Sequence, residues 1–179
     1  MTSTQDNIAN VQIFDFMTRS VITIPEGQTM KQASKIMYEK NIGSIVILKE
    51  ESGSNLDGTL SEGTSEKMEM PIGIVTERDI ARTVGFAAKH SIFGDIPISE
   101  LMSKPLTTIQ PRASLKDAVI LMQQKDIRRL PVIDNNERLV GIITEKDILK
   151  VVFKIFKKTI KDQSLVSEGF DLLGFLGAE

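Results

Sequence analysis

Two pairs of residues in this chain are spaced for chemistry: Thr76 with Asp79, and Thr144 with Asp147. A threonine three positions before a carboxylate can serve two purposes. At a helix start the hydroxyl accepts the N–H of the third helical residue, and the carboxylate turns back to the threonine N–H. That reciprocal box stabilises the helix start by about 1 kcal/mol. The same carboxylate, when ionised, only accepts hydrogen bonds, so it suits a ligand with paired donors such as the two hydroxyls of a ribose. A helix N-terminus beside it offers backbone N–H groups to phosphate oxygens. The two uses are compatible, and the residues leave both open.

Cations stand close by. Arg78 and Lys146 lie between threonine and aspartate, where they could add to a phosphate-attracting field or simply be solvated. Arg128 and Arg129 precede Leu130-Pro131-Val132, a run that reads as a strand. Neighbouring strand residues face opposite ways, so at most one of the two arginines should aim at a given ligand. A guanidinium is a planar, bidentate donor suited to phosphate, although a surface pair on an edge strand is the plain alternative.

The elements that must hold these residues come in two copies. The octapeptides Gly73–Ile80 and Gly141–Ile148 are near duplicates, each running from a buried strand through threonine into a helix. Upstream, Ile13, Phe16 and Met17 make an apolar turn, and Val21–Ile24 reads as a strand. Thr29 and Gln32 form a capping box for a helix with Met30, Ala33, Ile36 and Met37 on one face, ending near residues 41–43. Ser44–Leu48 is a continuous apolar run, as in a strand covered on both sides. Residues 49–70 turn polar, acidic and aperiodic, which reads as a flexible surface excursion. After Thr76 a helix carries Ile80, Ala81, Val84 and Ala87.

The same order then returns. Ile98, Leu101 and Met102 repeat the turn, Leu106–Ile109 the strand, and Ser114 with Asp117 the capping box. Leu115, Ala118, Leu121 and Met122 repeat the helix face. Positions 17 and 102, like 42 and 127, are 85 apart, whereas the corners at Gly73 and Gly141 are 68 apart. The acidic excursion absorbs the difference; it lengthens a hairpin that turns at Asp134–Glu137 in the second copy. Each doubling of loop length costs only about 0.6 kcal/mol. Each copy is strand–helix–strand–strand–helix, too few strands to bury a sheet alone, so the two should pack together.

Composition narrows the functions. With 22 basic and 24 acidic residues the net charge is -2, which argues against bulk nucleic-acid affinity. There is no cysteine and the one histidine is His90, which excludes thiol catalysis, histidine triads and multi-histidine or cysteine metal sites. No catalytic or metal-binding residue is assigned. No apolar run approaches the roughly 20 residues of a membrane span, and residues 1–8 lack a signal-peptide profile. A cytoplasmic protein is expected. Beyond Ile148 the last helix extends, with a basic stripe of Lys150, Lys154, Lys157 and Lys161 and an apolar stripe of Val152, Ile155 and Phe156. Such a helix can cover its own domain or a dimer mate, or lie on an anionic membrane or a partner.

The ordered repetition of these features resembles the cystathionine-β-synthase (CBS) motif, and two in tandem resemble a CBS pair, or Bateman module. The resemblance covers about residues 11–153 and rests on Met17 with Val21–Ile24, Met102 with Leu106–Ile109, Ile127–Asp134 and the two corners. The implied organisation is a flexible tail at 1–10, motif 1 at 11–88 with the insertion 49–70, a linker at 89–95, motif 2 at 96–153, and a helical extension at 154–179. The implied fold is mixed α/β, two pseudo-symmetric motifs packed through their sheets.

The resemblance also implies two clefts that take adenine nucleotides (AMP, ADP, ATP) or a related adenosyl ligand. One would use Ile22, Thr23, Ile42, Gly43, Ser44, Thr76, Arg78 and Asp79; the other Thr107, Thr108, Ile127, Arg128, Arg129, Thr144, Lys146 and Asp147. Ile22, Ile42 and Ile127 are equally well explained as core. The second cleft, with its arginines, is the stronger expected anion site. No further cofactor is implied. The expected role is non-catalytic ligand sensing in a homodimer, read by an unknown protein partner, without nucleic acid or a membrane-spanning segment. The alternative is a structural or interaction module without nucleotide, acting through its C-terminal helix or acidic loop.

Overall fold

The computed structural model describes residues 11–51, 68–87 and 96–162. The expected N-terminal tail, most of the acidic excursion, the linker with His90 and the chain beyond Asp162 lie outside the described residues. The described chain forms two compact units, one with residues from 18–111 and 130–142, the other with residues from 11–17, 112–129 and 143–162.

In the first unit, β1 (Thr23–Pro25) lies parallel to β2 (Ser44–Glu51), which pairs antiparallel with β3 (Met68–Thr76). Between β1 and β2 runs α1 (Met30–Lys40), the right length to carry the chain back for a parallel strand. Its start is the expected box: Gln32 N–H donates to Thr29 Oγ1 (3.4 Å) and Thr29 N–H to Gln32 Oε1 (2.8 Å). It stops at Asn41, whose φ of 50° is left-handed, a conformation asparagine tolerates better than most residues. Ile24, Ala33, Met37, Ile45, Ile47, Val75, Ile98 and Met102 form the core.

The strands outrun the expected loop boundaries. Lys49, Glu50 and Glu51 pair with Met70, Glu69 and Met68, so the sheet continues into the stretch read as an excursion. The register slips beside Leu48, which lies opposite Pro71, while Ile47 lies opposite Gly73. Proline has no N–H to give the ladder and is tolerated in a strand at such a bulge. Gly73 is required by its neighbour: a Cβ there would fall on the Met102 side chain, 2.8 Å from Cγ. After β3 comes α2 (Glu77–Ala87), and further on the short α3 (Ile98–Leu101).

The second repeat follows the same plan with one reduction. A parallel bridge from Ile109 to Val132 stands where β1 stands in the first repeat, so Leu106–Ile109 is a single contact rather than the expected strand. β4 (Arg129–Ile133) and β5 (Leu139–Thr144) pair through a turn in which Asp134 Oδ1 accepts the N–H groups of Asn136 (2.8 Å) and Arg138 (2.9 Å). In the second unit, α4 (Leu115–Lys125) opens with the Ser114–Asp117 box and closes at left-handed Asp126 (φ 51°), while α5 spans Glu145–Asp162.

The opening segments are exchanged. Ile13 N–H donates to Ala113 C=O (3.0 Å) and Leu115 N–H to Val11 C=O (2.9 Å), so the first repeat's turn sits at the start of the second repeat's first helix. The reciprocal bonds run from Ile98 N–H to Gln28 C=O and from Met30 N–H to Ile96 C=O, both 2.9 Å. Likewise Thr18 and Ile142 exchange two backbone bonds, and so do Ser103 and Ile74. The compact units are therefore not the sequence repeats: each repeat lends its first residues to the other.

Candidate ligand-binding corners

At the first corner, β3 ends in Thr76 because its hydroxyl and the Asp79 carboxylate together cap α2. Thr76 N–H (2.8 Å) and Thr76 Oγ1–H (2.6 Å) both donate to Asp79 Oδ2, and Asp79 N–H donates to Thr76 Oγ1 at 3.4 Å. Glu77 N–H is taken by Gly43 C=O (3.2 Å), which ties the helix start to the start of β2. Of the first-turn donors, that leaves the Arg78 N–H. Asp79 is half-buried, and its Oδ1 has no partner among the described residues. A carboxylate has lone pairs to spare, so this oxygen can accept from a ligand.

The second corner repeats the bonds. Thr144 N–H (3.2 Å) and Oγ1–H (2.6 Å) donate to Asp147 Oδ2, and Asp147 N–H to Thr144 Oγ1 (3.3 Å). Glu145 N–H donates to Arg128 C=O (3.0 Å), the counterpart of the Gly43 bond. Two side-chain contacts have no equivalent in the first corner among the described residues. Lys150 Nζ donates to Asp147 Oδ1 at 3.0 Å, pairing with a carboxylate side chain only 15% exposed. The Arg128 guanidinium stands 3.7 Å from Glu145 Oε2, both side chains well exposed, a surface pair worth little by itself.

The first set of expected residues is brought together at one end of the three-stranded sheet. Ser44 lies opposite Thr76, Thr23 opposite Val46, and Val46 N–H donates to Ile22 C=O (3.2 Å). Ile22 and Ile42 are partly buried against the core, so packing accounts for part of their role. Of the second set, Ile127, Arg128, Arg129, Thr144, Lys146 and Asp147 share one unit, while Thr107 and Thr108, both half-buried, belong to the other. Arg128 and Lys146 are exposed and Arg129 is half-buried at the start of β4. The sequence does not single out Glu145, and it shows Lys150 only as part of the basic stripe, not as a partner of the corner. The i,i+3 spacing of Asp147 and Lys150 was a visible signal for one; the Arg128–Glu145 pair needed the fold.

The family model of the CBS domain matches residues 13–64 and 98–154, one segment over each repeat. The chain belongs to the CBS-domain family. It is 35% identical over 134 residues to the CBS domain-containing protein YhcV of Bacillus subtilis, covering 75% of this chain and 80% of that one. It is 34% identical over 142 residues to protein MK0525 of Methanopyrus kandleri, covering 79% of this chain but only 63% of that protein's length.

Among solved structures it is similar to the AcuB protein of Vibrio cholerae, with TM-score 0.63 and 27% identity over 84% of this chain and 97% of that one. The CBS pair of protein MJ0100, solved with 5′-methylthioadenosine and S-adenosyl-L-methionine, gives TM-score 0.59 and 24% identity, covering 79% and 94%. CBSX2, solved with AMP, gives TM-score 0.58 and 19% identity, covering 81% and 98%. At those last two identities the likeness is one of fold. The mixed α/β fold and the tandem CBS pair expected from the sequence are borne out.

Proposed function

We propose that the chain is a non-catalytic regulatory module that binds an adenosine-containing ligand at its two strand-to-helix corners. The observation that carries this is the half-buried Asp79 carboxylate: its capping bonds use one oxygen, and the other remains open beside a first-turn N–H. That is an acceptor for hydroxyls next to a donor for phosphate. The adenosyl ligands held by the CBS pair of MJ0100 and by CBSX2 support the ligand class.

The corners suit different parts of that class. Around the second stand Arg128, Arg129, Lys146 and Lys150 against Glu145 and Asp147; around the first, Arg78 and Arg82 against Glu77 and Asp79. The surplus of cations makes the second the stronger site for a phosphate-bearing nucleotide such as AMP, ADP or ATP. The open carboxylate oxygen makes the first the better seat for an adenosyl group without phosphate. Binding would shift the protein between conformations by its differential affinity for them, and a partner protein would read the shift. We place this in the cytoplasm, in a homodimer.

Native mass spectrometry of freshly purified protein, followed by addition of AMP, ATP or S-adenosylmethionine, tests the reading. A retained or added adenosyl ligand supports it. Protein that carries none and takes up none contradicts it, and leaves the role of a structural or interaction module acting through its C-terminal helix or acidic loop.

A further inference from the structure

The helix α5 has three faces at about 100° per residue. Ile148 and Val151, buried, with half-buried Ile155, pack into the protein. Lys150, Lys154 and Lys157 form an exposed basic stripe. Between these runs an apolar stripe of Leu149, Val152, Phe153 and Phe156, each 37–52% exposed. Val152 and Ile155, expected on one stripe, are thus on different faces. The apolar stripe is not needed to build the motif. At the matching positions of α2, 68 residues earlier, stand Ala81, Val84 and Gly85.

We propose that this stripe is the docking surface for the segment that follows α5 in the same chain, residues 163–179. The chemistry of the two is complementary. The segment contains Glu168, Asp171 and Glu179 and no lysine, arginine or histidine, opposite the lysine stripe. It also contains Phe170, Leu172, Leu173, Phe175 and Leu176, opposite the apolar stripe. Its reach is sufficient. Leu149 lies 13 residues before Asp162 in α5, about 20 Å along the axis at 1.5 Å per residue. The eight residues from 163 to Phe170 span about 26 Å when extended. A tether this short holds the segment at an effective concentration of order millimolar, well ahead of a free partner at cellular levels. The inference does not depend on the ligand reading.

The chain has no tryptophan, so Phe156→Trp in the full-length protein supplies a single reporter on the stripe. The expected result is an indole with blue-shifted emission, several-fold protected from iodide quenching and independent of protein concentration. Phe170→Ser, Leu172→Ser and Leu173→Ser together should shift it to the red and remove the protection. Lys154→Glu with Lys157→Glu should do the same, with recovery on adding Glu168→Lys and Asp171→Lys. If the reporter substitution disturbs folding, amide exchange across residues 149–157 replaces it, slower with the native segment than with the serine variant. Equal exposure with and without the serine changes overturns the proposal. So does protection that appears only as protein concentration rises, which assigns the face to a second copy. Protection that appears only with phosphatidylserine vesicles also overturns it and assigns the face to a membrane.

Discussion

The corners at Thr76 and Thr144 use the same bonds in different company. Threonine and aspartate cap the helix in both, and the first helical N–H is tied to the residue before the neighbouring strand in both. That residue is Gly43 in one and Arg128 in the other; among the described residues Asp79 keeps an oxygen open where Asp147 gives its own to Lys150. Down the helices the contrast widens, from Ala81 and Gly85 to Leu149 and Phe153. What the fold requires is duplicated, and what differs lies at positions the fold leaves free. Divergence between repeats therefore points to function more sharply than either repeat alone.

Several substitutions sharpen or break this comparison. The largest effects should come from equivalent core positions. Ile45 and Leu130, 85 residues apart, are both fully buried, and replacing either with alanine should cost about 2–5 kcal/mol in urea unfolding. A negligible cost at one of them would break the structural equivalence of the repeats. Next is Gly73→Ala, expected to cost about 1–3 kcal/mol through collision with Met102. In a Met102→Ala background, itself destabilised by the lost core packing, the added cost of Gly73→Ala should shrink; an unchanged added cost would mean that the Met102 side chain is not what limits the space.

Smaller still is the loss of a cap. Asp79→Ala and Asp147→Ala should each destabilise by about 1 kcal/mol through the shared cap, with Asp147→Ala losing slightly more because its Lys150 bond goes too. The smallest effect separates the capping boxes by pH. Asp117 has its carboxyl held below its ordinary value of 3.8, first by the Ser114 hydroxyl and then by the Ser114 N–H. A carboxyl depressed by folding stabilises above its unfolded value and loses that contribution as pH falls through the folded one. Stability below about pH 3.8 should therefore fall less steeply in Asp117→Asn, whereas changing Gln32, its uncharged counterpart, should leave that slope alone.

The repeat, both boxes and both corners were legible because each depends on local spacing. Thr29 with Gln32 and Ser114 with Asp117 need only three residues of separation and a helix to start. The exchange of opening segments was not legible, because an 85-residue offset shows that Ile13 matches Ile98 without saying which helix start each one meets. Lys49, Glu50 and Glu51 read as loop since their polarity outweighs any strand preference, yet pairing with residues 68–70 carries them into the sheet. At the site, the threonines and aspartates were visible. The pairings of Arg128 and Lys150 depend on side-chain placement, and only the second left a trace in spacing.

The central claim is ligand binding at both corners with the anion preference at the second. Calorimetric titration of nucleotide-free protein with AMP tests it most directly, comparing the wild type with Asp147→Asn and Asp79→Asn, which keep a side-chain acceptor for the cap. Micromolar affinity, about -8 kcal/mol, is expected. Each carboxylate oxygen has a second lone pair, so Asp147 can accept from a ribose hydroxyl beside its Lys150 bond. Losing the ribose bond should weaken AMP about 10-fold to 100-fold in Asp147→Asn, where the neighbouring cations hold the phosphate, and less in Asp79→Asn. No heat with AMP, ADP, ATP or S-adenosylmethionine would contradict the claim outright, and a larger loss in Asp79→Asn would reverse the order of the two corners.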